Sequence, residues 1–478
     1  MNAYPQIQLF IGGQWVKADE SLPILNPADE KQIGLLPVAD KNHLDDAVSA
    51  AEEGFRIWSQ TSPMRRGQII LKAAQLMRDR QEEIALSIAL ELGKPIRQAR
   101  LEVIRGCEFF EWDAAEGQRL YGRVIPSAPG IRYVVVRQPI GSVAAFSPWN
   151  FPMSQPARKV AGALASGCSV ILKPAEETPA GAIHIAKAFA DAGLPPGVLN
   201  LVFGQPADIS GYLIPKEQIR LVAFTGSTAV GRHLTTLASQ NMTPVLMELG
   251  GHAPVIVCDD VDPKAAAVSS AVRKMRNCGQ VCTSPTRFFV DEKLHSAFAK
   301  CFVDQVNSIK VGDPMNEETE MGPVAHKGRL EALQKFVDDA VRRGANLVTG
   351  GAQIAGEGYF FQPTVLCDVP DDALIMREEP FGPIAIINAV SDLEDGIEKA
   401  NSVAYGLAAY AFTHSAANVD RLTDGIEAGN LSINTLEASL PETPFGGVKS
   451  SGYGREGGDE GLHHYTIVKN ISHSMKIV

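Results

Sequence analysis

The sequence predicts an α/β fold with three parts: a doubly wound parallel sheet, a second α/β body and a small β arm. Three observations support this prediction. The chain has 478 residues, which implies two or three domains rather than one core. Short β-branched segments alternate with helical segments from about residue 140 onward, as they do in parallel sheets. The alternation forms two stretches, the second of which begins at about residue 262.

The first third of the chain is predicted to be mostly helical. Three segments carry apolar side chains at helical spacing with charged side chains between them, at residues 43–60, 64–92 and 96–118. Pro63 and the Gly93-Lys94-Pro95 run separate them. Two short β-branched segments follow, at residues 132–137 and 141–146.

Strands and helices then alternate through both bodies. Predicted strands of the first body are residues 169–172, 199–203, 221–225, 244–248 and 254–258. Its predicted helices are residues 156–165, 180–192 and 230–238. The second body has predicted helices at 265–276, 294–308 and 330–343 and predicted strands at 287–290, 384–389 and 408–412. This rhythm predicts a mainly parallel sheet in each body.

We therefore expect one domain over residues 1–118 and 140–249 and a second over residues 250–445. Residues 119–139 and 460–478 contain the remaining strand-like segments. We expect them to pair as an arm that can join subunits.

The composition of the chain indicates which kinds of partner, metal site and cellular location are expected. The net charge is −11 and the pI about 5.5, which argues against a nucleic-acid partner and weakens attraction to anionic membranes. The seven scattered cysteines show no metal-binding spacing and are typical of cytosolic thiols, so no metal is expected. The first residues lack the pattern of a signal peptide, and no apolar run reaches the length of a membrane span. These features predict a cytoplasmic protein.

Cys282 is a candidate nucleophile because it follows a helix that Gly279 and Pro285 interrupt. A loop position can present a thiolate to a pocket and its own backbone N–H to a developing oxyanion. The plainer alternative is a small buried side chain. The other cysteines in helix- or strand-like context are predicted to be structural: Cys107, Cys168, Cys258, Cys301 and Cys367.

Glu248 and Asn150 are candidate partners for this thiol. Glu248 ends an apolar strand, where loss of water raises a carboxyl pKa toward that of a general base. Asn150 lies between two prolines in a rigid turn, so its amide is a candidate fixed donor to a growing negative charge. A solvent-facing acid and a turn-capping asparagine are the alternatives. With Cys282 they form the set that thioester formation from an aldehyde needs, together with a hydride acceptor.

Two strand ends are candidate dinucleotide contacts. Gly226 and Ser227 form a small-residue turn into a helix, whose backbone N–H groups can hold a pyrophosphate. A simple tight turn is the alternative, since the Gly-x-Gly-x-x-Gly pattern is absent. Lys173 and Glu176 end another strand and can bond ribose hydroxyls, unless they form a surface ion pair. A glutamate there repels the 2′-phosphate of NADP, which favours NAD without excluding NADP.

A third candidate contact is the loop of Glu379 and Phe381, which prolines and a glycine stiffen. Its carboxylate can accept bonds from the nicotinamide ribose. A solvated acidic loop is the alternative.

Seven segments, taken in order, resemble the aldehyde dehydrogenase superfamily over nearly the whole chain. They are Pro-Trp-Asn-Phe-Pro, Lys-Pro-Ala-Glu, Phe-Thr-Gly-Ser-Thr, Glu-Leu-Gly-Gly, Gly-Gln-Val-Cys, Glu-Glu-Pro-Phe-Gly-Pro and Pro-Phe-Gly-Gly-Val-Lys. The resemblance implies a cofactor domain, a catalytic domain and a β arm used in homodimers or homotetramers.

The resemblance also implies a role for each matching residue. Cys282 is then the nucleophile and Glu248 the base that activates water, while the Asn150 amide and the Cys282 N–H form an oxyanion hole. The presence of Glu248 favours hydrolysis of the thioester over transfer to coenzyme A. The implied cofactor contacts are Trp149, Lys173, Glu176, Gly226, Ser227, Glu379 and Phe381. Lys159 and Glu456 match a supporting or proton-relay network.

Arg158, Arg276 and Ser439 bear on the substrate. If both arginines reach the pocket, they can hold a carboxylate at the far end of the aldehyde. Their positions resemble the succinate-semialdehyde dehydrogenase branch. The runs 284–287 and 440–447 resemble α-ketoglutarate-semialdehyde dehydrogenases. Helix-surface or interface arginines are the alternative, and the substrate is then a neutral aliphatic or aromatic aldehyde.

Ser284 occupies the place where some succinate-semialdehyde enzymes carry a second, redox-active cysteine. Cys278 precedes Cys282 by four residues, and a Cys278–Cys282 disulfide under oxidation is a hypothesis, with a space-filling Cys278 as the alternative. Two other function classes remain for comparison. A cysteine esterase needs no dinucleotide site, and a non-catalytic binding protein needs no nucleophile.

Overall fold

The computed structural model describes residues 4–476, and it begins with two strand pairs. They are β1 (Leu9–Ile11), β2 (Gln14–Val16), β3 (Glu20–Leu25) and β4 (Gln32–Val38). These strands were not predicted, because two of them have only three residues, too few to show an alternating pattern. β1 extends the first main sheet, since Phe10 pairs antiparallel with Leu201.

Four helices follow: α1 (Lys41–Trp58), α2 (Pro63–Asp79), α3 (Gln81–Leu92) and α4 (Ile96–Glu116). Residues 64–92 were predicted as one helix, and this prediction is wrong, because the chain leaves helical geometry at Arg80 (φ −102°, ψ 17°). Ser62 caps α2 by accepting from the Arg65 N–H, with Pro63 in the first turn. Gly93 ends α3 with a φ of 77°.

The next segment builds the arm and the first sheet. Its strands are β5 (Arg123–Ile125), β6 (Ile131–Pro139), β7 (Ser142–Phe146), β8 (Ser169–Lys173), β9 (Leu199–Leu201), β10 (Ile219–Thr225) and β11 (Val245–Glu248). Its helices are α5 (Ser154–Ser166), α6 (Ala180–Ala192), α7 (Pro206–Leu213) and α8 (Thr228–Ser239).

The second body and the C-terminal segment complete the fold. Their strands are β12 (Pro254–Val257), β13 (Arg287–Asp291), β14 (Asn346–Thr349), β15 (Thr364–Cys367), β16 (Ile384–Val390), β17 (Tyr405–Gly406), β18 (Ala408–Phe412), β19 (Asn430–Ile433), β20 (Val448–Lys449), β21 (Gly452–Tyr453) and β22 (Thr466–Ser474). The helices are α9 (Pro263–Met275), α10 (Glu292–Asn307), α11 (Lys327–Arg342), α12 (Leu374–Arg377), α13 (Leu393–Asn401) and α14 (Ala416–Gly425).

The first main sheet has the strand order β2-β1-β9-β8-β7-β10-β11-β21. β9, β8, β7, β10 and β11 run parallel, and the strand order reverses direction between β7 and β10. Ligands of open α/β sheets bind at the carboxyl ends of the strands beside such a reversal. The prediction of a doubly wound parallel sheet is confirmed.

The second main sheet has the strand order β14-β15-β16-β13-β12-β18-β19 and is parallel except for β14. Residues 254–258 were predicted as a strand of the first body, and this is wrong, because β12 pairs with β13 and β18. Each sheet has its own apolar core. Among the described residues, no helix is both long and apolar enough to cross a bilayer.

The arm is a sheet of β22, β6 and β5, with Thr466 opposite Pro139 and Ser474 opposite Ile131. The arm carries exposed apolar side chains, among them Val468 and Ile471. The turn 460–465, which the sequence analysis placed with the arm, packs into the first core through Leu462 and Tyr465.

Candidate active site

Candidate residues meet where the two sheets face each other. Asn150, Lys173, Gly226 and Glu248 lie at or just after the carboxyl ends of β7, β8, β10 and β11. From the second body, segments that precede the amino ends of β12, β13 and β16 contribute the loops of Gly251, Cys282 and Glu379. The backbones of the Gly251 and Cys282 loops lie close together, as a Cβ on Gly251 would be 2.6 Å from the Cys282 carbonyl oxygen.

A left-handed turn orients the Cys282 loop. Asn277, Cys278 and Gly279 have φ angles of 50°, 55° and 68°. Non-glycine residues rarely adopt this region, and strain of this kind is characteristic of functional loops. Gly279 has no substitute, since a Cβ there would lie 2.1 Å from the Gly382 carbonyl oxygen. The turn ends α9 and directs the chain into the Cys282 loop.

Cys282 is a protonated thiol in the free protein at neutral pH. Burial, together with the nearby carboxylates of Glu379 and Glu248, raises the pKa of its thiol to about 12, while Arg158 opposes the rise. These couplings place Cys282 within electrostatic reach of all three side chains. Bond formation by its sulfur therefore requires a proton acceptor.

Glu248 is buried at 2% exposure, and neither carboxyl oxygen has a hydrogen-bond partner among the described residues. Burial raises its pKa well above the usual value, and the Glu456 carboxylate adds to that rise. A buried carboxyl group with both oxygens free can take up a proton or hold a water molecule.

Asn150 is buried, and its Nδ2 donates to the Gln280 carbonyl oxygen at 3.0 Å. An amide group carries two N–H donors, so one remains for an oxyanion. Beside Glu248, the Lys159 ammonium pairs with Glu456 at 2.8 Å, and both side chains are buried. The second Glu456 oxygen has no partner within residues 4–476.

The candidate cofactor contacts line the strand ends of the first sheet. Lys173 is buried and pairs with Glu176 at 2.5 Å, so the pair differs from a surface ion pair. Ser227 caps α8 and is itself exposed. The first turn of α8 has no acidic side chain, which leaves its N–H groups open to a phosphate.

Trp149, Phe381 and Glu379 complete the cofactor set. The Trp149 and Phe381 rings lie 5.4 Å apart, edge to face. Glu379 accepts a bond from the Gly251 N–H, and burial raises its pKa to about 8. Unlike the solvated loop that was the alternative, this side chain is half-buried and within electrostatic reach of Cys282. Polar atoms and aromatic faces in this arrangement fit a nicotinamide dinucleotide.

One cavity of about 1080 Å³ contains Cys282 and the candidate substrate residues Arg158, Arg276 and Ser439 in its walls. Aromatic walls come from Phe109, Phe151, Phe412 and Phe445. Asn150 and Glu248 are not among its lining residues.

Arg158 is 5% exposed and is not a surface arginine. Its guanidinium stacks on the Phe109 ring at 4.0 Å and lies 4.9 Å from the centre of the Phe445 ring. Nη2 donates to Ser439 Oγ at 2.6 Å, while Nη1 has no partner in the part of the chain that the structure describes. Arg276 is half-buried, 5.9 Å from the centre of the Phe151 ring. Both arginines are therefore available to an anion.

Sequence reasoning missed the polar residues that support these loops. Lys94, Glu102 and Asn277 hold the Asn150 segment. Buried Lys274 donates to Ser284 Oγ and Thr286 Oγ1, both at 3.2 Å, and burial lowers its pKa to about 7. In the sequence, the only sign of these supporting residues is a charged or polar side chain within an apolar helix face or, for Lys94, a position between Gly93 and Pro95.

Cys278 is buried, and all seven cysteines are free in the structure. The Cys278–Cys282 disulfide therefore stays a prediction for oxidised protein. Arg287, in the run that resembles the α-ketoglutarate branch, donates to backbone carbonyls of His252, Lys399 and Ala400, so its role is to hold β13 and α13 together.

Comparison with known proteins agrees with this geometry. The aldehyde dehydrogenase family model matches residues 15–471. A 4-(hydroxymethyl)benzenesulfonate dehydrogenase of Comamonas testosteroni is 42% identical over 465 residues, which cover 97% of each chain. The NADP(+) succinate-semialdehyde dehydrogenase of Escherichia coli (strain K12) is 36% identical and covers 97% of this chain and 96% of its own.

Solved structures share the whole fold. The crystal structure of succinate-semialdehyde dehydrogenase from Burkholderia pseudomallei has a TM-score of 0.96 at 37% identity and covers 98% of both chains. The chain is therefore an oxidoreductase that acts on aldehydes with a nicotinamide cofactor, and it belongs to the aldehyde dehydrogenase family.

Proposed function

We propose that this protein oxidises a short ω-carboxylated aldehyde, succinate semialdehyde or α-ketoglutarate semialdehyde, to the carboxylic acid. One observation carries the proposal. The cavity that contains Cys282 also contains the buried Arg158 guanidinium, which has one nitrogen on Ser439 and the other free. A substrate with a remote carboxylate satisfies that nitrogen while its aldehyde faces the thiol.

In this proposal Cys282 forms the covalent intermediate. Its sulfur bonds to the aldehyde carbon and its proton leaves, because the thiol pKa lies far above neutrality. The ionised form of Glu248 accepts that proton. The Asn150 Nδ2–H and the Cys282 N–H donate to the aldehyde oxygen as it gains charge.

A nicotinamide bound here would accept the hydride from the thiohemiacetal carbon, which leaves a thioester on Cys282. Lys173 and Glu176 would hold the adenosine ribose, Gly226, Ser227 and the α8 N-terminus the phosphates, and Glu379 the nicotinamide ribose. Trp149 and Phe381 wall the groove. Because Glu176 disfavours a 2′-phosphate, NAD is the proposed preferred cofactor and NADP the weaker one.

Glu248 also completes turnover. After the first proton has passed from Glu248 to the pair of Lys159 and Glu456, the Glu248 carboxylate takes a proton from the water that attacks the thioester. The Cys282 thiolate then leaves, and the proton of the newly formed carboxylic acid restores the thiol. The pair of Lys159 and Glu456 lies next to Glu248, and the Glu456 carboxylate raises the Glu248 pKa. In the proposed scheme this pair receives the proton from Glu248.

A second candidate substrate is an aromatic aldehyde with a remote anionic group. Four phenylalanines line the cavity, and its volume of about 1080 Å³ is ample for a ring. A relative named for 4-(hydroxymethyl)benzenesulfonate is 42% identical. Arg158 would serve a sulfonate as it serves a carboxylate.

We also propose the domain organisation, the assembly and the location of the protein. We assign residues 1–118 and 140–249 to cofactor binding, residues 250–445 to catalysis, and residues 119–139 and 460–478 to the arm. Exposed apolar side chains on β22 and β5 support assembly as a homodimer or homotetramer. Seven free cysteines support a cytoplasmic location.

The test is NADH formation by purified protein with matched aldehydes. The panel contains succinate semialdehyde, α-ketoglutarate semialdehyde, 4-formylbenzenesulfonate, a neutral aliphatic aldehyde of equal length, and benzaldehyde. A higher kcat/KM for anionic aldehydes than for their neutral counterparts supports the proposal, and their order selects the substrate class. Equal turnover of neutral counterparts contradicts it.

A further inference from the structure

We propose that Lys94 and Glu102 are positioning residues for Asn150, and that they fix this oxyanion donor relative to the Cys282 loop. The inference rests on the proposed function, because it takes Asn150 as the donor. Neither residue lines the substrate cavity.

The two side chains form an ion pair with only 1% of each exposed. Lys94 lies between α3 and α4, and Glu102 lies on the second turn of α4. A buried ion pair is weak support for stability, since apolar residues of similar volume often serve as well. The role of the Lys94–Glu102 pair is therefore inferred from the other contacts of the two side chains.

Lys94 contacts the backbone of the oxyanion donor directly. Its Nζ donates to the Asn150 carbonyl oxygen at 3.1 Å and lies 3.9 Å from the centre of the Phe151 ring. Asn277 Nδ2 donates to the same carbonyl oxygen at 3.0 Å. The Asn150 backbone is thus held by one donor from each body.

Glu102 holds the other end of the same loop. Its Oε1 accepts from the backbone N–H groups of Met153 at 2.9 Å and Ser154 at 3.2 Å. α5 begins at Ser154 and has no side-chain cap of its own, so Glu102 provides the acceptor for the N–H groups at its start. α5 also carries Arg158 and Lys159.

The Asn150 side chain connects this clamp to the nucleophile loop. Its Nδ2 donates to the Gln280 carbonyl oxygen, and Asn277 Nδ2 donates to the same atom at 3.2 Å. Gln280 precedes Cys282 by two residues. A displacement of the Asn150 backbone therefore changes where the free amide hydrogen points relative to the reacting sulfur.

A double-mutant cycle separates this role from a structural one. The test variant is K94M/E102Q, which removes the ammonium, leaves no unpaired buried charge, and keeps an acceptor for Met153 and Ser154. It is combined with N150A. The matched control is Y4F, which removes the buried 2.6 Å hydrogen bond to Glu91 on α3 and leaves every hydrogen bond of Asn150 in place. Measurements are kcat/KM for the aldehyde, the NAD dissociation constant and the melting temperature.

We expect K94M/E102Q to lower kcat/KM at least about tenfold when Asn150 is present and less than about threefold in the N150A background. NAD affinity should stay within about threefold, and Y4F should leave kcat/KM unchanged. Equal losses in both backgrounds, or no loss in either, overturn the inference. A wild-type protein that oxidises no aldehyde overturns the proposed function as well, and is distinguished by its inactivity before any substitution.

Discussion

Replacing Arg158 with methionine should remove the preference for anionic aldehydes while the chemistry survives. The arginine is buried between two phenylalanine rings, and its free Nη1 has no partner among residues 4–476. Methionine keeps much of this packing and removes the charge. Asp113, which is near Arg158, has a pKa that burial raises to about 8, so at pH 7 it is mostly protonated and needs no counterion. We therefore expect a folded variant.

The magnitude follows from the contacts that a carboxylate can make. Nη1 is free and Nη2 is shared with Ser439, which leaves two charge-assisted hydrogen bonds for the substrate. Each contributes about 1.5–3 kcal/mol, so at least about 3 kcal/mol is lost. At about 1.4 kcal/mol per tenfold change, kcat/KM for succinate semialdehyde should fall roughly 100-fold or more.

The assay is steady-state NADH formation by R158M with succinate semialdehyde and with a neutral aldehyde of equal length. The neutral substrate is the internal control, because the loss of the Arg158 charge raises the pKa of Cys282 and Glu248 for both substrates. The prediction is therefore a fall of roughly 100-fold in the ratio of the two kcat/KM values. R276M, which changes the half-buried arginine, should give a smaller loss in the same direction. If both substrates lose the same factor with R158M, Arg158 contributes packing alone and the reasoning from its free nitrogen is wrong.

Three other predictions test separate parts of the site and the assembly. Iodoacetamide should alkylate Cys282 of the cofactor-free protein at a rate that rises about tenfold per pH unit from pH 7 to 10, because a thiol pKa of about 12 leaves little thiolate in this range. Mass spectrometry follows the alkylation, and a rate that reaches a plateau near pH 8 contradicts this prediction. E176Q should raise the ratio of kcat/KM for NADP to that for NAD by about tenfold, because the carboxylate no longer repels the 2′-phosphate; an unchanged ratio rejects the assigned contact. V468D/I471D places charges on arm side chains that are 62% and 40% exposed in the isolated chain, and light scattering should then show a smaller assembly, whereas an unchanged mass places the interface elsewhere.

The helices and strands that were predicted correctly are those whose own residues carry a clear periodic pattern. Residues 408–412 were predicted as a strand and form β18, and residues 294–308 were predicted as a helix and nearly coincide with α10. β1 was missed because its three residues carry too little pattern and pair with β9, far along the chain. The break at Arg80 was missed because neither Pro nor Gly marks it.

The candidate site was predictable only where residue type and neighbours suggest chemistry. Cys282, Glu248 and Asn150 could be proposed from strand ends and loops. The clamp on Asn150 could not, because Lys94 and Asn277 meet at one carbonyl oxygen from 56 and 127 residues away in the chain. The left-handed turn at Asn277 and Cys278 was equally hidden, since neither residue type requires positive φ.

The central claim is that Cys282 carries the acyl group and Glu248 releases it. The most direct test mixes E248Q with NAD and succinate semialdehyde and follows NADH formation together with intact-protein mass. We predict a single burst of NADH, slow turnover afterwards, and a succinyl adduct that peptide mapping places on Cys282. Sustained turnover at the wild-type rate, or an adduct on any other residue, would contradict the account.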